Sequence, residues 1–152
     1  MTILTHFNCA VPPAVRRKKN LFGRIASAAL KRFRAPGLEV NIIFVDEPEI
    51  RRINRRFLKR GYTTDVIAFN YHPEKSMTPV KGARPFGDIY ICAPRAKKQA
   101  AEMGHGLLTE LLILAAHGAL HLAGMEDDTP AKRKAMNAAT ARLLKNLTRD
   151  RG

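Results

Sequence analysis

The chain has 152 residues, 45% of them hydrophobic, and sets 27 Lys and Arg against 13 Asp and Glu for a formal net charge of +14. That length suits one domain over residues 1–152 with a core of its own, and no apolar run reaches the ~20 residues of a membrane span. The start of the chain carries no basic segment followed by an apolar one, and Cys9 and Cys92 lie far apart with no CxxC spacing, so a cytoplasmic protein with two reduced, packed thiols and no membrane partner is expected, rather than a disulfide scaffold or zinc ribbon.

Thr2 to Phe7 alternates like a short strand that Pro12-Pro13 ends. From about Ala14 to Phe33, Leu21, Phe22, Ile25, Ala29 and Phe33 recur at helical spacing with cations on the other faces, which predicts an amphipathic helix ending at Pro36-Gly37. Leu38 to Val45 reads as a strand. Asp46, Glu47 and Pro48 open a helix through about Lys59, closed by Gly61. Thr64 to Tyr71 and Asp88 to Cys92 read as strands, joined by the proline-rich connection His72 to Pro85. Helices follow at Pro94 to Met103, Gly106 to Ala123 and Pro130 to Leu147. The second of these three is apolar on nearly every side and is the expected central helix. The order β-α-β-α-β-β-α-α-α predicts an α/β sandwich around a mixed sheet of about four strands.

The central helix runs into the most informative stretch, His117-Gly118-Ala119-Leu120-His121-Leu122-Ala123-Gly124-Met125-Glu126-Asp127. His117 and His121 are one turn apart and share a helix face, so both rings can reach one ion. Gly124 suits a helix C-terminus, and the returning chain brings Asp127 back under the histidines. Three protein ligands leave one position for water, as in catalytic zinc sites. A histidine pair at this spacing is also a common feature of partly buried faces. The acidic run Glu126-Asp127-Asp128 divides in the same way between ligation and capping, since Asp128 or Thr129 before Pro130 is a good helix start. Gly118 stands where a zinc peptidase of the HExxH type carries its glutamate, which argues against a peptidase.

The basic excess attracts polyanions, which makes nucleic acid the expected partner, and Arg56, Lys59 and Arg60 are the candidate phosphate contacts. A bound metal that lowers the pKa of water would make phosphodiester hydrolysis the natural reaction. No general base is assigned: Asp65 and Asp88 read either as lining the cleft or as caps of a strand or turn, the capping role being slightly favoured, and Glu110 as a surface or outer-shell residue.

The same residues resemble the YbeY-type endoribonucleases, metal-dependent rRNA maturation factors of bacteria and organelles, over most of the chain. That family's fingerprint HGxLHLxGYDH is similar to HGALHLAGMED here, with the histidine pair, Gly118, Leu120, Leu122 and Gly124 kept. Its pattern N-x-x-Y-R-x-x-D-x-P-T-D-V-L-S-F resembles Asn54 to Phe69, and its GDI strand resembles Gly87-Asp88-Ile89. The resemblance implies a single-strand-specific, metal-dependent endoribonuclease acting in rRNA maturation, at the small-subunit rRNA 3′ end, and in ribosome quality control. It implies one Zn2+ ion, or another divalent transition metal, on His117, His121 and Asp127. The implied partners are rRNA, other single-stranded RNA, small ribosomal subunit proteins and assembly factors. Two departures stand out. Asp127 takes the place of the third histidine, a harder oxygen donor. Leu58 takes the place of the arginine to which substrate handling is attributed, leaving that role to Arg56, Lys59 or Arg60. The competing reading is a non-catalytic RNA- or ribosome-binding assembly factor whose metal is structural.

Overall fold

In β2 (Leu38–Val45) hydrophobic side chains alternate in burial, with Leu38, Val40, Ile42 and Phe44 on one face and Ile43 and Val45 on the other. Both faces are apolar at the strand's end, so both must be covered. The computed structural model describes residues 1–33, 37–58, 65–71 and 84–149. Besides β2 it has strands β1 (Thr2–Phe7), β3 (Val66–Asn70) and β4 (Arg84–Cys92), and helices α1 (Pro13–Arg16), α2 (Lys19–Ala29), α3 (Glu47–Leu58), α4 (Ala93–Met103), α5 (Leu107–Leu122) and α6 (Pro130–Arg149). The sheet order is β1-β2-β4-β3, with β1, β2 and β4 parallel and β3 antiparallel on the edge beside β4.

One face of the sheet carries the larger core, where Val40, Ile42, Phe44, Ile89 and Ile91 meet Phe22, Ile25 and Ala26 of α2 and the apolar side of α5. The other face is covered by α3, whose Ile50 and Ile53 pack on Val45, Ile67 and Cys92. The α3 sequence has cations on its outer face, and Asp46 caps its start by accepting the Glu49 N–H at 3.0 Å. Cys9 and Cys92 are both free, and burial pushes both thiols up from their ordinary value. Among the described residues no single helix is long and apolar enough to cross a membrane.

The α/β class, the mixed four-stranded sheet and the central helix match the sequence expectation, with three differences in detail. The helix expected from Ala14 to Phe33 is broken into α1, α2 and a 3₁₀ turn at Lys31–Phe33. The break falls in the run Arg16-Arg17-Lys18-Lys19, where the Lys18 N–H bonds Val15 O at 2.9 Å in a tight turn. Like charges at helical spacing oppose continuation there. β4 begins four positions before the expected Asp88. Pro85 and Gly87 lower its intrinsic strand preference, but pairing with β2 through a register shift at Glu39/Val40 extends it. Glu110 is buried, at 6% exposure, rather than on the surface. The expected helix end at Lys59 and Gly61, the strand start at Thr64 and most of the connection from His72 lie outside the described residues.

Candidate active site

Two glycines set the position of α5. A Cβ on Gly118 would lie 2.5 Å from Ile89 Cγ2, and one on Gly87 of β4 would lie 2.7 Å from Leu122 Cδ2 and 2.8 Å from Phe69 O. Helix and sheet therefore touch along a line that a side chain at either position would block. The same contact removes any room for a glutamate beside His117, so the peptidase arrangement fails on packing as well as on sequence.

The C-terminus of α5 is fully accounted for. Gly124 has φ +100°, its N–H bonds His121 O at 3.0 Å and the Met125 N–H bonds Leu120 O at 3.0 Å, which together form a Schellman turn. The next two carbonyls are met by side chains: Asn70 Nδ2 donates to Leu122 O at 3.3 Å and Arg32 Nη2 donates to Ala123 O. With these four carbonyls satisfied, the chain reverses at a fixed angle and returns along the helix.

The return fixes His121. Its Nδ1 lies 3.0 Å from the Met125 carbonyl oxygen. A carbonyl only accepts, so Nδ1 carries the proton and Nε2 of the neutral ring is left with its lone pair. That Nε2 faces Asp127 Oδ2 at 3.6 Å. A nitrogen and a carboxylate oxygen at this separation can be joined either by a proton on the ring, as an ion pair, or by a metal ion, and the tie of the other ring nitrogen to a carbonyl is compatible with both.

The three consecutive carboxylates are sorted by Lys132, which pairs with Glu126 at 3.0 Å and Asp128 at 3.2 Å. Asp127 alone faces the histidine, with its backbone carbonyl held by Arg133 at 3.3 Å. The cap of α6 is Thr129, whose Oγ1 accepts the Lys132 N–H at 3.1 Å, so Asp127 is not spent on capping.

His117 sits one turn earlier. Burial pushes its imidazole below the ordinary value, with Asp65, Asp127 and Glu110 pulling it upward and His121 pushing it down. It is therefore neutral near pH 7, the form in which a ring nitrogen can ligate. Among the described residues no three His, Cys, Asp or Glu side chains are gathered closely enough to hold an ion. The donors stand as the pair His121 and Asp127, with His117 on the adjacent turn. A cleft of about 470 Å³ opens beside His121, lined also by Val66, Ala68 and Asn70 of β3 and by Gly124 to Glu126.

The other carboxylates divide. Asp65 accepts the Val66 N–H at 2.8 Å and Gln99 Nε2 at 3.3 Å, and its charge reaches His117. Asp88 accepts from Asn41 Nδ2 and from the Tyr71 hydroxyl, each at 3.2 Å. Sequence reasoning had no signal for the contact between buried Glu110 and His105 Nε2, 2.6 Å apart across the start of α5. Arg56 is exposed on α3 and lies over the ring of Phe57, 5.4 Å from its centroid. Phe57 is 59% exposed and its ring meets Phe69 edge-on at 5.5 Å. This pair lies on the α3 face of the sheet, opposite α5, so the structure does not bring Arg56 together with the histidines. Lys59 and Arg60 lie outside the described residues.

The model of a family described as endoribonuclease YbeY matches residues 10–148. This chain belongs to that family. An endoribonuclease YbeY of Elusimicrobium minutum is 49% identical over 134 residues, covering 87% of this chain and 90% of the relative. The endoribonuclease YbeY of Geobacillus thermodenitrificans is 39% identical over 112 residues, covering 71% and 72%. That of Myxococcus xanthus is 39% identical over 119 residues, and there the chain spans only 40% of the relative's length. A solution structure of a Thermotoga maritima protein superposes with a TM-score of 0.57 at 21% identity, covering 97% of this chain and 93% of the other, and shows the same fold. An endoribonuclease YbeY family member is by class a hydrolase of RNA, and the +14 charge is consistent with that polyanionic substrate.

Proposed function

We propose that this protein is a metal-dependent endoribonuclease that cleaves single-stranded RNA during rRNA maturation, with His117, His121 and Asp127 holding one zinc ion or another divalent transition metal. The observation that carries the reading is the opposition of His121 Nε2 and Asp127 Oδ2 at 3.6 Å, with Nδ1 already committed to Met125 O. Such a metal, when bound, supplies a Lewis acid for the phosphodiester and lowers the pKa of water toward neutrality.

The protein's own contribution is positional. The Schellman turn holds the returning chain so that Asp127 faces His121, and Lys132 keeps the two flanking carboxylates away. Burial keeps His117 neutral. Arg56, with Lys59 and Arg60, supplies positive charge for the RNA backbone, and exposed Phe57 beside Arg56 offers a face on which an unpaired base can stack, a feature suited to single strands. In this reading the substrate is small-subunit rRNA at its 3′ end, the setting is ribosome maturation and quality control in the cytoplasm, and small ribosomal subunit proteins and assembly factors are the partners.

The test is cleavage of end-labelled single-stranded and duplex RNA by the purified protein, alongside metal analysis. Cutting of the single strand that stops on chelation and returns with zinc is the expected result. A metal-replete protein that binds RNA without cutting it would instead establish an assembly factor with a structural metal.

A further inference from the structure

β1 is an end strand of the sheet, and its outer edge borders a cleft of about 740 Å³ whose opposite wall is α2. The Asn8 N–H donates to Phe44 O at 2.8 Å, which turns the main chain of Asn8 toward β2. Main-chain groups alternate in direction along a strand, so the N–H and C=O groups of Ile3 and Thr5 point away from β2, on the cleft side. The α2 wall consists of two adjacent rows at i, i+4 spacing, Lys19-Gly23-Ser27 and Asn20-Arg24-Ala28. Among the described residues that line the cleft, Lys19 and Arg24 carry positive charge and there is no Asp or Glu. Gly23 lies in the interior of α2, where glycine costs about 1 kcal/mol relative to alanine. A Cβ there would nonetheless meet nothing within 4 Å. Packing among the described residues gives no reason for this glycine; what its missing side chain does is leave the middle of the cleft open.

We propose that this cleft receives an acidic, extended segment of a partner protein, added to the sheet as a strand beside β1 with its carboxylates on Lys19 and Arg24. The inference does not depend on the endoribonuclease reading. An added strand supplies main-chain partners for the outward groups of Ile3 and Thr5. Its side chains alternate, so every second one faces α2, at a repeat of roughly 6.5–7 Å. Lys19 and Arg24, five positions apart on α2, are separated by roughly 7.5 Å along the helix, so carboxylates at two alternate positions can meet both. The intervening side chains fall on the other face of the sheet beside Leu4, which is 40% exposed, and apolar residues suit them. A second copy of this chain is a poor occupant. Pairing β1 with β1 would set Lys19 and Arg24 of one copy near those of the other, and each copy carries +14. RNA would meet the two cations but has no alternating N–H and C=O groups to pair with Ile3 and Thr5.

The experiment measures, by fluorescence anisotropy, binding of a short labelled peptide that alternates Glu and Val. The same peptide is also made with each of its two alternate sets of backbone nitrogens methylated in turn, and with Lys in place of Glu. The native chain should bind the Glu peptide and not the Lys peptide. Methylating the set that faces β1 should weaken binding by about tenfold or more, the loss expected for two hydrogen bonds, while methylating the other set should change it little. Gly23→Leu fills the cleft and should weaken the peptide by at least as much. That variant should melt no lower than the native chain, because leucine is the better helix former and the position is open. Lys19→Gln combined with Arg24→Gln should weaken binding and reduce its dependence on salt. A folded native chain that does not bind the Glu peptide, equal effects of the two methylated sets, or native affinity in Gly23→Leu would overturn the strand site. A chain that binds RNA but not the peptide, and loses RNA affinity in Gly23→Leu, would assign the cleft to nucleic acid and overturn it as well.

Discussion

Gly118→Ala tests the tightest contact between α5 and the sheet. In a free helix the change would stabilise by about 0.8–1 kcal/mol, because glycine is a poor helix former. Here the new Cβ would lie 2.5 Å from Ile89 Cγ2 and 3.3–3.4 Å from its Cγ1 and Cβ. The obstacle is the body of a fully buried side chain and not a flexible tip, so either β4 or α5 must give. Overpacking of this kind typically costs about 1–3 kcal/mol. The two terms leave a net loss of about 1 kcal/mol, which in a chain of 152 residues lowers the melting temperature by about 2–4 °C. Urea unfolding should show the same loss as a lower midpoint at constant slope. Ile89→Ala removes the obstructing atoms, so in that background Gly118→Ala should recover the helix term and stabilise. The sign reversal between backgrounds corresponds to a coupling of about 1–3 kcal/mol. A Gly118→Ala variant more stable than the native protein, or an effect that is the same with and without Ile89, would refute the close approach.

Asp127→Ala should lose bound zinc while Glu126→Ala and Asp128→Ala keep it, as measured by metal analysis after dialysis; equal zinc in all three variants would remove Asp127 from the ligand set. Thr129→Ala should cost about 1 kcal/mol as a lost helix cap with metal content unchanged, and a variant as stable as the native chain would argue against the cap. Arg56→Gln should flatten the dependence of log RNA affinity on log salt by about one, whereas an unchanged slope would make Arg56 a bystander. Tyr71 is pushed up to about 12 by burial, then by the charge of Asp88 and its hydrogen bond, above the unfolded value of about 10. Folding thus favours the neutral phenol, a contribution complete below about pH 10 and lost as the pH rises through the folded value. Asp88→Asn should therefore lower the Tyr71 titration in tyrosinate absorbance; an unaltered curve would separate the two groups.

The strands and helices legible in the sequence were those whose period and punctuation agree. β2 alternates cleanly, α3 is opened by Asp46 and ended with cations, and α5 is apolar all round with Gly124 beyond it. The broken helix after Pro13 was not legible, because Leu21, Phe22 and Ile25 keep helical spacing across a region where only the local charge run favours a turn. The start of β4 was hidden by Pro85 and Gly87, whose residue types speak against a strand that tertiary pairing nonetheless imposes. At the site, the histidine pair was visible from spacing alone. That Asp127 comes back to His121 was readable from the turn after Gly124, whereas what holds Glu126 and Asp128 aside was not, since Lys132 reaches back to both from α6. The pairing of His105 with Glu110 depends on how the end of α4 meets the start of α5, which no local pattern encodes.

The order β1-β2-β4-β3 leaves a strand at each end of the sheet. Neither edge strand, Thr2–Phe7 or Val66–Asn70, contains a Lys, Arg, Asp or Glu, so neither carries the charges that commonly deter edge-to-edge pairing between molecules. Colloidal repulsion from the net charge of +14 therefore falls to the rest of the surface. A bound polyanion cancels that repulsion. The protein's dispersion in solution is thereby tied to its stoichiometry with RNA: turbidity in low salt should peak where the charges of protein and strand balance, and clear again when either is in excess.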